Sequence, residues 1–236
     1  MNESHVRSFW SRLLDIIAPR ACCQCHRRLA IDEEVLCASC LLHLPRTFFA
    51  TKALDNPMAR LLWGQLAVER VAALFYYEPS SELTRAIHQL KYRNRPDIGI
   101  FLGRLMAEEM MGNGFFEGVD LLVPVPLTKE RQRERGYNQS LMLAKGVSEK
   151  TGIPIAEAVV VRTKFSGSQT HRHAWERREN VEHAFEYVGE VDISGKHLML
   201  IDDVLTTGAT IINCGKPLAE QQNVTISVLT AGFTKS

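Results

Sequence analysis

The chain has 236 residues, 45% of them hydrophobic, with 28 basic against 27 acidic side chains and a formal net charge of +1. That length supports one good-sized core with a small appendage or two modest domains, and so even a balance argues neither for nor against nucleic acid, so anion binding must be local. No apolar stretch approaches the roughly 20 residues of a spanning helix and the N-terminus lacks the pattern of a secretory signal, which excludes membrane insertion and makes the cytoplasm the expected location.

In chain order, Phe9, Trp10, Leu13, Leu14, Ile16 and Ile17 recur at helical spacing before Pro19, which predicts a short helix. Five of the six cysteines follow between Cys22 and Cys40, as Cys22-x-x-Cys25 and Cys37-x-x-Cys40 with eleven residues between the pairs. Two such pairs can present four thiolates tetrahedrally, so Cys22, Cys25, Cys37 and Cys40 predict a structural zinc site rather than a disulfide framework. Cys23 is a spare thiol, and His26 or His43 could replace one ligand. Because a closed site leaves no position for substrate, metal catalysis is not expected there. The stretch from Phe48 to Trp63, broken by Pro57, predicts a connector with a helical turn or two. Residues 1–63 are therefore expected to form a helix, zinc module and connector, and residues 64–236 the main domain.

The main domain reads as alternating elements. Val68 to Tyr77 predicts a strand, Ser80-Ser81-Glu82 a helix start ahead of Leu83 to Tyr92, and Asp97 to Met111 a second helix. Val119 to Pro126 predicts a buried strand halted by prolines, and Gln139 to Glu149 a helix closed near Gly152. Lys164 to Glu182 is polar, His-rich and Arg-rich, as expected of a long mobile loop followed by a short helix. Leu198 to Ile201 and 225–232 predict strands, and a helix is expected from Thr210, shortened or kinked near Gly215 because Pro217 removes a backbone hydrogen bond. Strands alternating with helices argue for an α/β fold with a mostly parallel sheet flanked by helices.

The stretch LMLIDDVLTTGAT carries the chemistry. A buried apolar strand has no room for two unpaired charges, so Asp202 and Asp203 are expected at its carboxyl end, where ligands of parallel sheets gather. The following Thr206, Thr207, Gly208, Ala209 and Thr210 can turn sharply, aim successive N–H groups at one point and open a helix whose N-terminus favours an anion. Two carboxylates beside a phosphate cradle suit a ribose 5-phosphate, whose hydroxyls donate to the carboxylates. A Walker B strand would need a G-x-x-x-x-G-K-[ST] partner loop, and none is present. Phosphoacceptor aspartates do not need the Thr-Thr-Gly turn, and a strand end with solvated carboxylates is the remaining alternative. The segment LIDDVLTTGAT resembles the phosphoribosyl pyrophosphate (PRPP) loop of the type I phosphoribosyltransferases.

Other segments extend the resemblance. Lys91-Tyr92-Arg93, the turn Pro124-Val125-Pro126, Arg133-x-Arg135-Gly136-Tyr137-Asn138-Gln139, Gln169, Arg177-x-x-Asn180 and Ala184-Phe185 occur in the order found in the ComF/GntX family of competence-associated, phosphoribosyltransferase-like proteins. The resemblance covers nearly the whole chain, cysteine block included, and departs from the family at Arg172, where an apolar residue is usual. It implies a type I phosphoribosyltransferase-like domain with a small N-terminal zinc-finger module, binding PRPP with Mg²⁺. In that scheme Asp202, Asp203 and 206–210 hold the ribose phosphate. Lys91, Arg93, Pro124, Val125, Pro126, Arg133, Arg135, Asn138 and Gln139 are candidates for the pyrophosphate, with Gln169, Arg177 and Asn180 on a closing loop. Two functions follow from it: a phosphoribosyltransferase acting in DNA uptake or use of external DNA, or a non-catalytic competence factor that holds single-stranded DNA and docks on a DNA-uptake helicase.

Overall fold

The computed structural model describes residues 19–78, 84–163 and 185–234. The expected helix over Val6 to Ile17, the helix start at 80–82, and the loop with its short helix around 164–182 lie outside the described residues.

Four strands form one parallel sheet: β1 (Val71–Tyr76), β2 (Leu121–Pro124), β5 (His197–Leu205) and β6 (Thr225–Phe233), in the order β1-β6-β5-β2. Helices cover it, so the central strands are apolar on both faces: Leu198 to Ile201 and Val228 to Ala231 are buried without interruption. A separate antiparallel pair joins β3 (Val160–Arg162) to β4 (Phe185–Tyr187). The helices are α1 (Ala38–Leu42), α2 (Pro57–Leu62), α3 (Thr84–Tyr92), α4 (Pro96–Met111), α5 (Lys129–Arg135), α6 (Gln139–Thr151) and α7 (Ala209–Ala219). The α/β class with a parallel sheet flanked by helices is the one that the alternating pattern predicted.

Two local outcomes differ from the sequence expectations, and one element was not anticipated by them. The strand bearing the acidic pair runs on to Leu205, because β6 keeps pairing with it as far as Leu205↔Phe233 while β2 stops at Pro124↔Ile201. Asp202 and Asp203 therefore lie within a strand, at the point where one of its two neighbours ends. The basic stretch after the Pro126 turn is a helix, capped by the Thr128 side chain, which accepts from Arg131 N at 3.3 Å, and ended at Gly136. Finally, α7 passes through Gly215 and Pro217 to Ala219. Proline so near the helix end forfeits one bond, and Gly215 lets Leu66 pack against the helix, where an added Cβ would lie 2.5 Å from a Leu66 methyl.

Helices α4 and α6 meet backbone to backbone. A Cβ on Gly103 would lie 2.1 Å from Leu143 O, and one on Gly146 2.0 Å from Ile100 O, so both contacts require the missing side chain. This packing fixes the far end of α6, whose N-terminus reaches the acidic pair.

Candidate functional site

The site is assembled where β5 outruns β2. Beyond Pro124 the chain turns away, held by Val125 N donating to Ile201 O at 2.9 Å. The opening this leaves beside Asp202 is filled by the start of α6. Asn138 caps that helix, accepting from Ser140 N at 3.0 Å, while its Nδ2 donates to Val125 O at 3.0 Å, so the Pro124–Pro126 turn and the helix start move as one piece. Ser140 Oγ then donates to Asp202 Oδ1 at 2.9 Å, and the same oxygen accepts from Asp203 N at 2.8 Å.

The two carboxylates are inequivalent. Asp203 is buried and paired with Lys91, whose Nζ lies 2.9 Å from Oδ1. Among the described residues no cation is in contact with Asp202; burial first, and then the adjacent Asp203, push its carboxyl up to about 7, against the lowering effect of its two hydrogen bonds and Lys91. Near neutral pH Asp202 is thus an acid poised to lose its proton, beside a neighbour held by Lys91.

Immediately downstream, Thr206 and Thr207 are exposed while Gly208 is buried with φ +81° and opens α7. An added Cβ at Gly208 would meet a Leu62 methyl at 3.0 Å, so α2 backs the turn and glycine is required on both counts. Asp202, Thr206, Thr207, Gly208, Ala209 and Thr210 line a small cleft with about 220 Å³ of empty space at the N-terminus of α7, where Ala209 N donates to Thr207 Oγ1 at 3.5 Å. Asp202 and this turn thus share one opening, while Asp203 is turned to Lys91.

The remaining candidates divide. Arg135 lies over the Tyr92 ring at 5.4 Å and donates to Gln139 Oε1 at 2.6 Å; Gln139 is buried and donates to Tyr137 O at 3.2 Å, so it supports the turn from behind. Tyr137 is anchored by its hydroxyl on Leu90 O, and Pro126 is half-buried beside the turn. Arg93 and Arg133 are exposed, and Arg133 sits about 200° around α5 from Arg135, so these cations do not converge on one point. Gln169, Arg177 and Asn180 lie outside the described residues. Two participants escaped the sequence reading: Ser140, hidden as an ordinary helix-start serine, and Arg162 at the end of β3. Arg162 is half-buried against the Phe185 ring at 5.1 Å, and burial and Arg131 lower its pKa while Asp202 raises it. Nothing in the run AVVVRT signals that second role, because β3 reaches the site only through tertiary packing.

The N-terminal cysteines make the second cluster. Sγ atoms of Cys22, Cys25, Cys37 and Cys40 all lie within 4.8 Å of one another, and Cys25 and Cys37 are 3.6 Å apart, against about 3.8 Å for sulfurs on a tetrahedral Zn²⁺ at 2.3 Å. The donor set and spacing fit such an ion, which would supply structural cross-linking and no chemistry on substrate. The first knuckle is a tight turn, with Cys22 N donating to Arg27 O at 2.8 Å, His26 N to Cys22 O at 3.0 Å, and His26 at φ +61°. Arg27 donates to Cys37 Sγ at 3.3 Å; burial disfavours the Cys37 thiolate, but hydrogen bonds from Cys40 N, Arg27 and neighbouring thiols hold its pKa down to about 6. Cys23 is buried outside the cluster, with its thiol pushed up to about 12 by desolvation, and His43 Nδ1 is engaged with Ser39 O at 2.7 Å.

Over 209 residues the sequence is 30% identical to the DNA utilization protein YhgH of Escherichia coli O157:H7, covering 87% of each chain. The chain belongs to the ComF/GntX family. This ComF-family chain is also 33% identical over 147 residues to Competence protein F of Haemophilus influenzae, covering 61% of the former and 63% of the latter. Among solved structures it is similar to the glutamine PRPP amidotransferase from B. subtilis complexed with ADP and GMP, at a TM-score of 0.40 and 22% identity. That match covers 59% of the ComF-family chain and 30% of the amidotransferase, so the chain spans under a third of that protein's length. No family model matches. Among the described residues of the ComF-family chain, no helix is long and apolar enough to cross a membrane.

Proposed function

We propose that this protein binds PRPP at the Asp202–Thr210 segment and transfers its phosphoribosyl group to an acceptor with release of pyrophosphate, in the handling of DNA taken up from outside. One observation carries the reading: Asp202 and the Thr206–Thr210 turn that opens α7 line the same small cleft, with Asp203 next to Asp202 on β5. The 5-phosphate would lie on the N–H groups of Gly208, Ala209 and Thr210, and the ribose hydroxyls would donate to Asp202 and Asp203. Mg²⁺, arriving with the ligand, would neutralise pyrophosphate charge. The acceptor attacks the anomeric carbon as its bond to pyrophosphate breaks, through an oxocarbenium-like state that the two carboxylates stabilise.

Lys91 has a specific part in this scheme. It holds Asp203 in the ligand-free protein, and when hydroxyls take over that carboxylate the ammonium is released to the departing pyrophosphate. Calorimetric titration of Mg-PRPP into the wild type and the Asp202→Asn, Asp203→Asn double variant tests the site. The double variant should bind at least about 100-fold more weakly, since each lost charge-assisted hydrogen bond is worth roughly 1.5–3 kcal/mol; equal affinities would remove the proposal. Pyrophosphate released on addition of an acceptor makes the protein an enzyme.

A second reading, retention of single-stranded DNA without turnover, draws support from an exposed aromatic beside exposed cations: Tyr92, with Arg135 over its face and Arg93, Lys129, Arg131 and Arg133 exposed on the neighbouring segments. Relatives named for DNA utilization and competence agree with either reading. Single-strand affinity that falls steeply with salt, and that Tyr92→Ala weakens, would favour retention. A helicase of the uptake machinery is the proposed protein partner in that case.

A further inference from the structure

We propose that the four-cysteine module is a positioning element for the acidic pair, acting through α3. The observation is a continuous set of bonded contacts. The first knuckle, between the ligands Cys22 and Cys25, offers its two intervening carbonyls to one face of α3: Gln89 Nε2 donates to Cys23 O at 2.7 Å and Arg85 to Gln24 O at 2.8 Å. Arg85 and Gln89 are four residues apart and so share a helical face. Lys91 lies two residues on, about 200° around the helix, and its Nζ meets Asp203. The helix therefore stands between the metal knuckle and the carboxylate, bonded to both.

The knuckle carbonyls can face α3 only while the Cys22–Cys25 turn is closed. A bound ion would hold that turn by joining four sulfurs that lie within 4.8 Å of one another, and removing it would free the turn. A second contact acts in the same sense, since Arg104 of α4 pairs with Glu34, in the segment between the two cysteine pairs, and with Glu149 of α6 at 3.3 Å. Helix α6 carries Ser140, the donor to Asp202. Each carboxylate is thus held by a side chain from a helix that the module braces.

Two states of the module imply reciprocal coupling: if the ion improves ligand affinity by some factor, the ligand improves ion affinity by the same factor. The binding part of the test rests on the phosphoribosyl reading above, whereas hydrogen exchange does not. Three full-length proteins would be compared: zinc-loaded wild type, the same protein stripped by chelator, and zinc-loaded Arg85→Ala, Gln89→Ala, which leaves all four cysteines in place and alters only side chains outside the core. Stripping should accelerate amide exchange in 84–92 and in 202–210, and the double variant should do so with its zinc content unchanged. Mg-PRPP affinity should fall by about tenfold in both, a typical coupling, and Mg-PRPP should slow zinc extraction from the wild type. Unchanged exchange across 84–92 after stripping would overturn the proposal, as would normal exchange at 202–210 in the double variant. Wild type that fails to bind Mg-PRPP would sink the phosphoribosyl reading alone, and the exchange data would still decide the coupling.

Discussion

The cysteine module and the acidic pair solve the same electrostatic problem in opposite ways. Both crowd groups that repel when ionised. In the module, four sulfurs lie within 4.8 Å of one another, a donor set that an external cation could join, and local donors hold the Cys37 pKa down to about 6. At the sheet edge, the protein compensates the charge itself: Lys91 neutralises Asp203, and burial keeps Asp202 protonated up to about 7. The difference teaches which site is structural and which is exchangeable. A charge satisfied by a bound ion belongs to the fold, whereas a proton and a lysine can be displaced by a ligand without unfolding anything.

Four perturbations, from largest to smallest, break or sharpen that contrast. Cys37→Ser removes the sulfur that Arg27 and neighbouring thiols stabilise; the module should lose its zinc and unfold, since structural zinc contributes on the order of 10 kcal/mol to such modules. Elemental analysis and exchange over residues 20–45 check this, and retained stoichiometric zinc would break the contrast from the module's side. On the other side, Gly146→Ala forces α6 off α4 and should cost about 1–3 kcal/mol in urea denaturation, as overpacking does, with loss of ligand affinity because Ser140 moves with the helix.

The acidic pair makes a pH-dependent prediction. The folded protein holds a proton on Asp202 that the unfolded chain gives up above 3.8, so this group's stabilising contribution is full below 3.8 and is lost as pH rises to about 7. Ligand affinity runs the other way, because hydroxyl donors need the carboxylate: it should climb by up to about tenfold per pH unit below 7 and level off above it. Calorimetry in two buffers of different ionisation enthalpy should show proton release beyond that of the ligand's own phosphates, and net uptake would contradict the assignment. Ser140→Ala, the mildest change, removes one donor to Asp202, lifts its pKa further, and should shift that affinity profile to higher pH with about 1 kcal/mol of binding lost at pH 7.

Much of this was legible in the sequence where local pattern and chemistry coincide. The Cys-x-x-Cys pairs named the four clustered sulfurs, and the alternation of apolar runs with amphipathic ones named the sheet and most of its helices. A helix starting at Gln139, Gly152 as its stop and the turn at Gly208 followed from residue types alone. Other features were not legible, for reasons that can be stated. The end of β5 depends on which neighbour continues, a property of β2 and β6 that no window around Asp202 contains. The basic stretch after Pro126 was a helix because Thr128 and Gly136 cap it, a signal overshadowed by its charges.

What the sequence by itself determined is the inventory and its local geometry: a four-thiol module, an apolar strand carrying two adjacent acids, and a glycine turn into a helix. These follow from covalent neighbours, because residues close in the chain cannot avoid each other. Only the tertiary structure decided how the acids differ. Lys91, Ser140 and Arg162 are 112, 62 and 40 or more residues from the acidic pair, and packing of α3, α6 and β3 brings them to it. The same packing brought α3 between the Cys22–Cys25 turn and Asp203, because burial of its Ala86, Ile87 and Leu90 face fixes which side chains remain to meet each neighbour.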